Sequence, residues 1–508
     1  MMDLLRALRE DLAEPTQDST VEIDWGGAER LGATHQRGES GAHTQSESSA
    51  PAAEITLHPE ARRNFDAKAD ALLTMLSLVP PDPEGSTESD DMGERAHVVT
   101  ELPPHARPGR TLLFRDGEGA PVARVYRHGA TEVGLQGTGY RELRTLAERM
   151  QGTRDLRSVI TVEMLERLIF EWLGERFVGA TTTPMTDAVL ARIAMLFAEY
   201  EVVIPLYRVE IEAPLQFGRV ALRSITAGDF NRWMVAAGPP SNPAVAAQLR
   251  IAMQQERRRM QGFAAAVLTL RGEKRRVLQM ALDEAEKTSA MLRLFSPAML
   301  SPVARSYCAP WGRQGIDTPS YLLLNQSHPG LEIGSYLEIK EDFTWRLSAE
   351  RICLIREQAL DGLNQNLVDG TPTAFAEEIR TALILYSQCA LRRTAVDKLL
   401  TILLPFESFL LRSQTESITE NIAMRFAWAT GATGVERRRM RTVAQEVYAM
   451  RSRYLHHRTP IEGLEQLETL REFMEYVWRF FMKLGLDVVS TYPDRAAYLA
   501  DLDDRRLG

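Results

Sequence analysis

The amino-acid sequence predicts an α+β protein that is predominantly helical, with a disordered N-terminal leader, a mixed α/β middle region and a C-terminal all-α bundle. Three observations carry this reading. Apolar residues recur at three- and four-residue spacing over 140–200, and again almost without interruption from Thr373 onward, which is the period of a helix with one buried face. Between these stretches lie short segments in which apolar and polar residues alternate, the period of a half-buried strand. Two segments in the first 95 residues are too polar to contribute to a core. The expected divisions are therefore a leader over 1–95, a mixed sensor or regulatory region over 96–370, a helical bundle over 373–490 and a tail over 491–508.

Taken in order, residues 1–13 have the pattern of a short amphipathic helix, and the charged start MMDLLRALREDLAEP lacks the apolar core of a secretion signal. The stretch 32–51 is rich in Gly, Ser, Thr, Gln and His. It cannot bury enough surface to offset its ordering entropy, so disorder is expected there. A helix is expected over 59–78, followed by an acidic, turn-rich linker, PPDPEGSTESDD, over 80–91. TLLFRD (111–116), GEGA and PVARVYR (121–127) spell a hairpin around glycine. ITVEMLERLIFEWLGERF places Met164, Leu165, Leu168, Ile169 and Trp172 on one helical face, and DAVLARIAMLFAEY repeats the pattern. EVVIPLYRVEIE (201–212) and FGRVALRSIT (217–226) read as half-buried strands, with Pro205 and Pro214 at edges or bends. Long helices are expected across 243–292, then a break-rich stretch over 296–330 and a strand pair in YLLLNQ and LEIGSYLEIK.

The bundle begins with one long apolar-periodic region, AFAEEIRTALILYSQCALRRTAVDKLLTILLPFESFLLR, expected to bend near Pro405. A helix over 417–430 stops at Gly431 and Gly434. A third covers about 435–455 and a fourth about 462–484, the last with a wide apolar face of Phe473, Tyr476, Val477, Phe480 and Phe481. Four helices joined by short connections imply a bundle of roughly 110–120 residues.

Composition limits the function classes. The 508 residues suggest several domains, and 44% hydrophobic content is enough for ordinary cores. A net charge of −9 argues against a protein that coats nucleic acid over its whole surface, but not against a local basic groove. Cys308, Cys353 and Cys389 form neither a disulfide framework nor a zinc pattern, which points to a reducing, cytoplasmic setting. No apolar run has the length of a membrane span. GEGA and GTGYRE lack the lysine and hydroxyl of a phosphate loop, and no H-E-x-x-H, Cys–His metal set or G-x-S-x-G is present. No metal or cofactor is expected.

The most informative segment is QEVYAMRSRYLHHRT (445–459). Arg451 and His456 are separated by four residues, His457 follows, and Arg453 and Arg458 flank them. Imidazole accepts or donates a proton near neutral pH, and a guanidinium can hold a phosphate and stabilise charge developing on it. RNA brings its own nucleophile, the 2′-hydroxyl. On a regular helix a five-residue step turns about 140°. The motif therefore needs either a helix end near 455–456, which Pro460 suits, or two copies meeting across a dimer. Spacing alone is a weak signal, because Arg30 and His35 repeat it in the leader. The bland reading of the pair is a helix-end histidine near the dipole and a solvated arginine.

The run YAMRSRYLHHR resembles the Y-x-x-R-S-x-x-x-H-G signature of the Apea-like HEPN domain, with Tyr448, Arg451, Ser452 and His456 at the matching positions and His457 where the family has glycine. KLLTILLPFESFLLRSQTESITENIAMRFAWATG (398–431) resembles the family's preceding part, an apolar helix with a conspicuous glutamate, a polar loop and a helix with arginine. Glu407 and Arg425 match there. The resemblance covers about 375–490. It implies a metal-independent RNase in which two protomers set their Arg–His motifs at a shared cleft, acting as a toxin or anti-phage effector. The 96–370 region would then sense a phage-derived trigger or restrain the nuclease. Arg451 is expected to stabilise phosphate and transition state, and His456 to act as acid and base. His457, Tyr448, Ser452 and Glu407 are supporting candidates. For Glu407, a carboxylate that simply pairs with an arginine is the favoured role, and for Tyr448, packing. RNA is expected to touch Arg453 and Arg458 and the cluster Arg437, Arg438, Arg439 and Arg441, although a solvated helix face explains that cluster equally well. The same holds for QERRRM (255–260) and RGEKRR (271–276). Two alternatives stand beside cleavage: a non-catalytic RNA- or protein-binding scaffold, and a structural homodimer built on the aromatic face of 473–481.

Overall fold

The computed structural model describes residues 2–13, 56–78, 97–99, 110–128, 131–236, 243–313, 320–324, 331–335, 344–370, 372–413 and 416–507. The expected disordered stretch 32–51 and the linker 80–91 lie outside these residues. The chain is a predominantly helical α+β protein that divides into two compact units. One comprises Thr16–Tyr200 and Arg271–Val277; the other comprises Met1–Pro15, Glu201–Leu270 and Leu278–Gly508. The 96–370 stretch is thus not one region. Its first part makes a unit of its own, and most of the rest folds with the C-terminal helices.

Helix α1 (Met2–Ala13) belongs to the larger unit. It buries Leu4, Leu5, Ala7 and Leu8. Its Leu4 N–H donates to Gln358 at 3.1 Å, Arg351 donates to the Ala7 carbonyl at 2.8 Å, and Arg9 pairs with Glu475. Helix α2 (Pro59–Leu73) buries Phe65, Ala69 and Leu72 in the core of the smaller unit. The reading of 1–95 as a loose leader therefore fails for both helices, because each has an apolar face that another element covers.

In the smaller unit, β1 (Ser77–Leu78), β2 (His97–Val99), β3 (Arg110–Arg115), β4 (Pro121–His128) and β5 (Thr131–Gln136) form a sheet in the order β1-β5-β4-β3-β2, antiparallel throughout. The expected hairpin is β3–β4. Asp116 closes its turn by accepting from the N–H groups of Glu118 and Ala120 at 3.0 and 2.8 Å. Helices α3 (Gly137–Gln151), α4 (Arg154–Arg157), α5 (Val162–Phe177) and α6 (Met185–Leu196) follow. Gly174 lets α5 approach the sheet, since a Cβ there would stand 2.3 Å from the Tyr126 ring. Beneath the sheet the buried Glu166 accepts from Arg124 Nε at 2.6 Å and from Tyr140 at 2.8 Å. Such a buried charge persists only when paired and hydrogen-bonded.

The chain continues with β6 (Ala198–Pro205), β7 (Val209–Ile211), β8 (Leu215–Phe217), β9 (Val220–Ser224), α7 (Ala227–Ala236), α8 (Pro243–Met260), β10 (Ala264–Gly272) and α9 (Lys274–Arg293), of which Glu201–Leu270 and the part from Leu278 onward belong to the larger unit. The long helices expected across 243–292 are α8 and α9, and the strand β10 between them was not expected. Gly262, at φ 94°, ends the helical run, and Leu268, Leu270 and Gly272 then alternate with the exposed Thr269 and Arg271. That is strand period, and β10 joins a sheet of order β6-β10-β9-β8. β11 (Ser320–Leu324) and β12 (Leu331–Ser335) form the expected antiparallel pair, and β13 (Trp345–Leu347) pairs in parallel with β7.

The rest is helical: α10 (Ala349–Ile355), a π turn, α11 (Asp361–Leu367), α12 (Ala374–Ser387), a 3-10 turn over Gln388–Leu391, α13 (Ala395–Leu410), α14 (Ile418–Thr430), α15 (Gly434–His457), α16 (Leu464–Lys483), a second π turn, α17 (Val489–Thr491) and α18 (Arg495–Leu507). The single long region expected over 374–411 is two helices. Arg392 is extended, and Thr394 caps α13 by accepting from the Asp397 N–H at 3.1 Å. Pro405 sits inside α13. The expected tail is α18, which buries Tyr498, Leu499 and Leu502. The aromatic face of α16 points inward: Phe406 meets Phe426, Phe473 and Phe480 with ring centroids 4.8, 5.7 and 5.6 Å away. It is core, so it is not free to be the interface of a dimer.

Between α9 and residue 313 the regular backbone pairing is limited to a 3-10 turn over Pro297–Met299 and a bridge from Leu206 to Pro310. Side chains satisfy several of the other carbonyls there. Trp478 donates to Leu294 at 2.7 Å, and Arg293 to Cys308 at 2.7 Å. The fully buried Lys398 donates to Ala298 at 3.0 Å and Ser301 at 2.7 Å, and also to Ala304.

Candidate active site

Helix α15 starts at a cap that its sequence encodes. Thr433 accepts from the Glu436 N–H at 3.2 Å, and the Glu436 carboxylate accepts from the Ala432 N–H at 2.8 Å. The helix runs through His457 and ends where Arg458 turns left-handed, φ 55°, its N–H donating to the Tyr454 carbonyl at 2.8 Å. The helix thus continues past 455–456. Arg451 and His456 both lie on regular helix, about 140° apart around its axis, and one chain does not aim them at a common point.

Arg451 turns toward α13, with Nη1 3.5 Å from Glu407 Oε1 and the guanidinium 6.0 Å from the Tyr448 ring centroid. Tyr448 is buried, and its hydroxyl and Glu407 Oε1 have no hydrogen-bond partner of normal geometry. Burial first, then the charge of Glu407, raises the Tyr448 phenol far above its ordinary range. It stays protonated and is not a base. Glu407 therefore pairs with an arginine, and Tyr448 packs beneath that pair.

His456 and His457 are exposed, with ring centroids 6.4 Å apart. Ser452, Arg453 and Arg458 are exposed beside them. Three- and four-residue steps put His456 on one solvent face with Ser452, Ala449, Gln445, Arg441 and Arg438. The upstream arginines are not equivalent. Arg437 lies 3.9 Å above the Trp428 ring, and Arg439 Nε donates to Glu472 at 2.9 Å. Arg438 and Arg441 are exposed with no ion pair to a described residue, on the same face as His456. Helical periodicity separates them, since Arg437 and Arg439 fall to either side of the face that Arg438 and Arg441 share with His456.

Arg425 is structural. It donates to the Leu410 carbonyl at 2.7 Å and pairs with Glu416 at 2.7 Å and Asp503 at 2.8 Å, tying α14 to the end of α13 and to α18. Burial opposes its charge, yet the hydrogen bonds to Asp503 and Glu416 prevail and raise its pKa. Asp503 lies in the stretch read as a tail, so the sequence offered no sign of this partner.

Among the described residues no cluster of three or more His, Cys, Asp or Glu is placed to hold a metal ion. No described helix is long and apolar enough to cross a membrane. Compared with known family models, curated proteins and solved structures, the chain matches none.

Proposed function

We propose that the chain is a HEPN-type endoribonuclease, resembling the Apea-like kind, which cleaves RNA in a site shared by two copies. The observation that supports this is the Glu407–Arg451 contact at 3.5 Å. The two segments on which the resemblance rests are separated in sequence and meet through those side chains. Glu407 orients Arg451 without using up its five donors, leaving N–H groups for a phosphate. His456 of one copy takes the proton of the ribose 2′-hydroxyl, and that oxygen attacks the adjacent phosphorus. The 5′-oxygen leaves with a proton that the same imidazolium returns through water, while the arginine of the site comes from the second copy. Arg451 stabilises charge on the phosphoryl oxygens. His457 offers a second imidazole, and Arg438, Arg441, Arg453 and Arg458 guide the RNA backbone along the exposed face. A toxin or defence role in the cytoplasm, released by a phage-derived trigger, belongs to the same proposal.

The test is cleavage of total RNA in EDTA by the wild type and by His456→Ala. Loss of about 10²-fold or more is expected, the usual worth of a general acid–base group. Robust cleavage by the variant removes His456 from the mechanism. One observation favours a second reading, a non-catalytic RNA-binding module: within a single chain Arg451 and His456 face different ways. That reading predicts salt-sensitive binding through the exposed arginines and no cleavage under any condition.

A further inference from the structure

The larger unit holds a second concentration of arginine, far in sequence from α15, and here it is interleaved with aromatic rings. Tyr207 meets Trp311 edge-on, with centroids 4.9 Å apart, and Tyr307 at 6.1 Å; Phe263 lies 5.8 Å from Trp311. Three of these rings carry a guanidinium: Arg259 at 4.7 Å over Trp311, Arg305 at 5.2 Å over Tyr307 and Arg208 at 5.8 Å over Tyr207. Single guanidinium-on-ring pairs occur about once per 70–80 residues and need no function. Three on one connected set of rings is a built surface. Tyr307, Trp311 and Phe263 are only half-buried, and Arg259 is exposed. Arg208 also holds the left-handed conformation, φ 55°, which costs a non-glycine residue about 1 kcal/mol or more.

The last turn of α8 joins this surface to a hollow of about 460 Å³ lined by Gln254, Arg257, Arg258 and Gln261. Arg250 shares that helical face, at three- and four-residue steps. No residue of α8 is fully buried, so these arginines are not holding a core together. Arg257 Nε donates to Gln261 at 2.8 Å, while Arg258 has no ion pair with a described residue. The acids at the site are already engaged: Glu256 lies 3.7 Å from Arg259, and Glu286 pairs with Arg313 at 2.8 Å. The exposed Glu256–Arg259 contact is worth little and does not hold Arg259 back.

We propose that the last turn of α8 and the Phe263, Trp311 and Tyr307 rings, backed by the buried Tyr207, form a docking surface for single-stranded RNA. Phosphates sit in the hollow against Arg257 and Arg258. Bases stack on the Arg259–Trp311 and Arg305–Tyr307 pairs, whose planar faces suit any nucleobase. Arginine forks match phosphate oxygens two at a time. The glutamine amides supply donors and acceptors for base edges. A chain with net charge −9 binds a polyanion only where positive charge is gathered locally, as it is here. This surface does not depend on the cleavage reading, since it asks only for binding.

The experiment is fluorescence anisotropy of a labelled oligouridylate against the full chain carrying His456→Ala, so that the probe survives. Arg259→Ala, and Arg257→Ala with Arg258→Ala, should each weaken binding roughly 5- to 10-fold, the lower end of what one stacked base or a pair of phosphate contacts contributes. The double variant should also flatten the dependence on salt. All three residues are exposed, and circular dichroism should show the variants folded. Trp311→Phe should keep most of the affinity that Trp311→Ala loses. Unchanged affinity in both arginine variants overturns the proposal. So does duplex RNA or a polyglutamate competing as well as the single strand.

Discussion

At Lys398 the protein places a cation that no carboxylate of the described residues answers. The ammonium's three donors meet three carbonyls of the segment between α9 and β11, yet burial pulls the amine down to about 8 from 10.5. Its folded pKa lies below its unfolded one, so between those values the unfolded chain binds more protons. Stability should therefore rise as pH increases through that window, by an amount on the order of 3 kcal/mol at most. Denaturant unfolding across pH 8 to 10.5 should show the slope in the wild type and a flatter line in Lys398→Met; equal slopes would mean that Lys398 titrates normally. Arg425 poses the opposite case, a buried cation with two carboxylates. Removing it as Arg425→Met deprives Glu416 of its ion pair, leaves Asp503 with Arg412 at 3.0 Å and should cost roughly 2–3 kcal/mol, less than a wholly buried pair because both acids are partly exposed. Glu416, held below its ordinary value first by the Arg425 hydrogen bond, contributes stability that is present above that ordinary value and fades on acidification. The variant should lose that part of the acid dependence. An unchanged denaturation midpoint at neutral pH would deny Arg425 its structural role.

Among the elements, α18 shows how much a short helix can matter. Tyr498, Leu499 and Leu502 are buried, and Asp503 supplies one of the two acids of Arg425. Burying a large apolar side chain contributes about 1.5–3 kcal/mol, so three of them approach the whole net stability of an ordinary domain. A chain ending after Thr491 should lose cooperative thermal unfolding by circular dichroism. A truncated chain that melts at the wild-type temperature would show α18 to be dispensable. The helix escaped notice because its charged run DLDDRR interrupts the apolar pattern, leaving too few periodic residues to stand out. β10 was misread for a related reason. An apolar run of that length is compatible with helix or strand, and only Gly262 and the sheet partner β9 decide between them.

For the whole molecule, the cleavage proposal requires two copies, since one chain turns Arg451 toward Glu407 and His456 toward solvent. Two inactive variants should then rescue each other. Mixing Arg451→Ala with His456→Ala under conditions that exchange protomers should restore roughly a quarter of wild-type cleavage, because half the dimers are mixed and each of those holds one intact composite site. No recovery, with exchange verified by differential labelling, would exclude a site built from one arginine and one histidine of different copies. The dimer must use a surface other than the α16 aromatic face, which is sealed inside the bundle.

The sequence by itself determined what local interactions determine. The helical periods of 140–200 and of the C-terminal bundle, the β3–β4 hairpin around its Gly-containing turn and the glycine stop after α14 can all be read within a few residues of one another. It also marked Glu407 as a carboxylate that would pair with an arginine, and Arg451 and His456 as unable to share a face of one regular helix. Only the tertiary structure decided which arginine Glu407 meets, because that depends on how α13 packs on α15. It also decided that Phe473 and Phe480 face inward, that Arg438 and Arg441 make no ion pair with a described residue while Arg437 and Arg439 are engaged, and that Tyr207, Phe263, Tyr307 and Trp311 gather from distant segments. Periodicity shows that a face is apolar or a side chain charged. What covers that face, or neutralises that charge, comes from residues remote in the chain, and their selection is a property of packing.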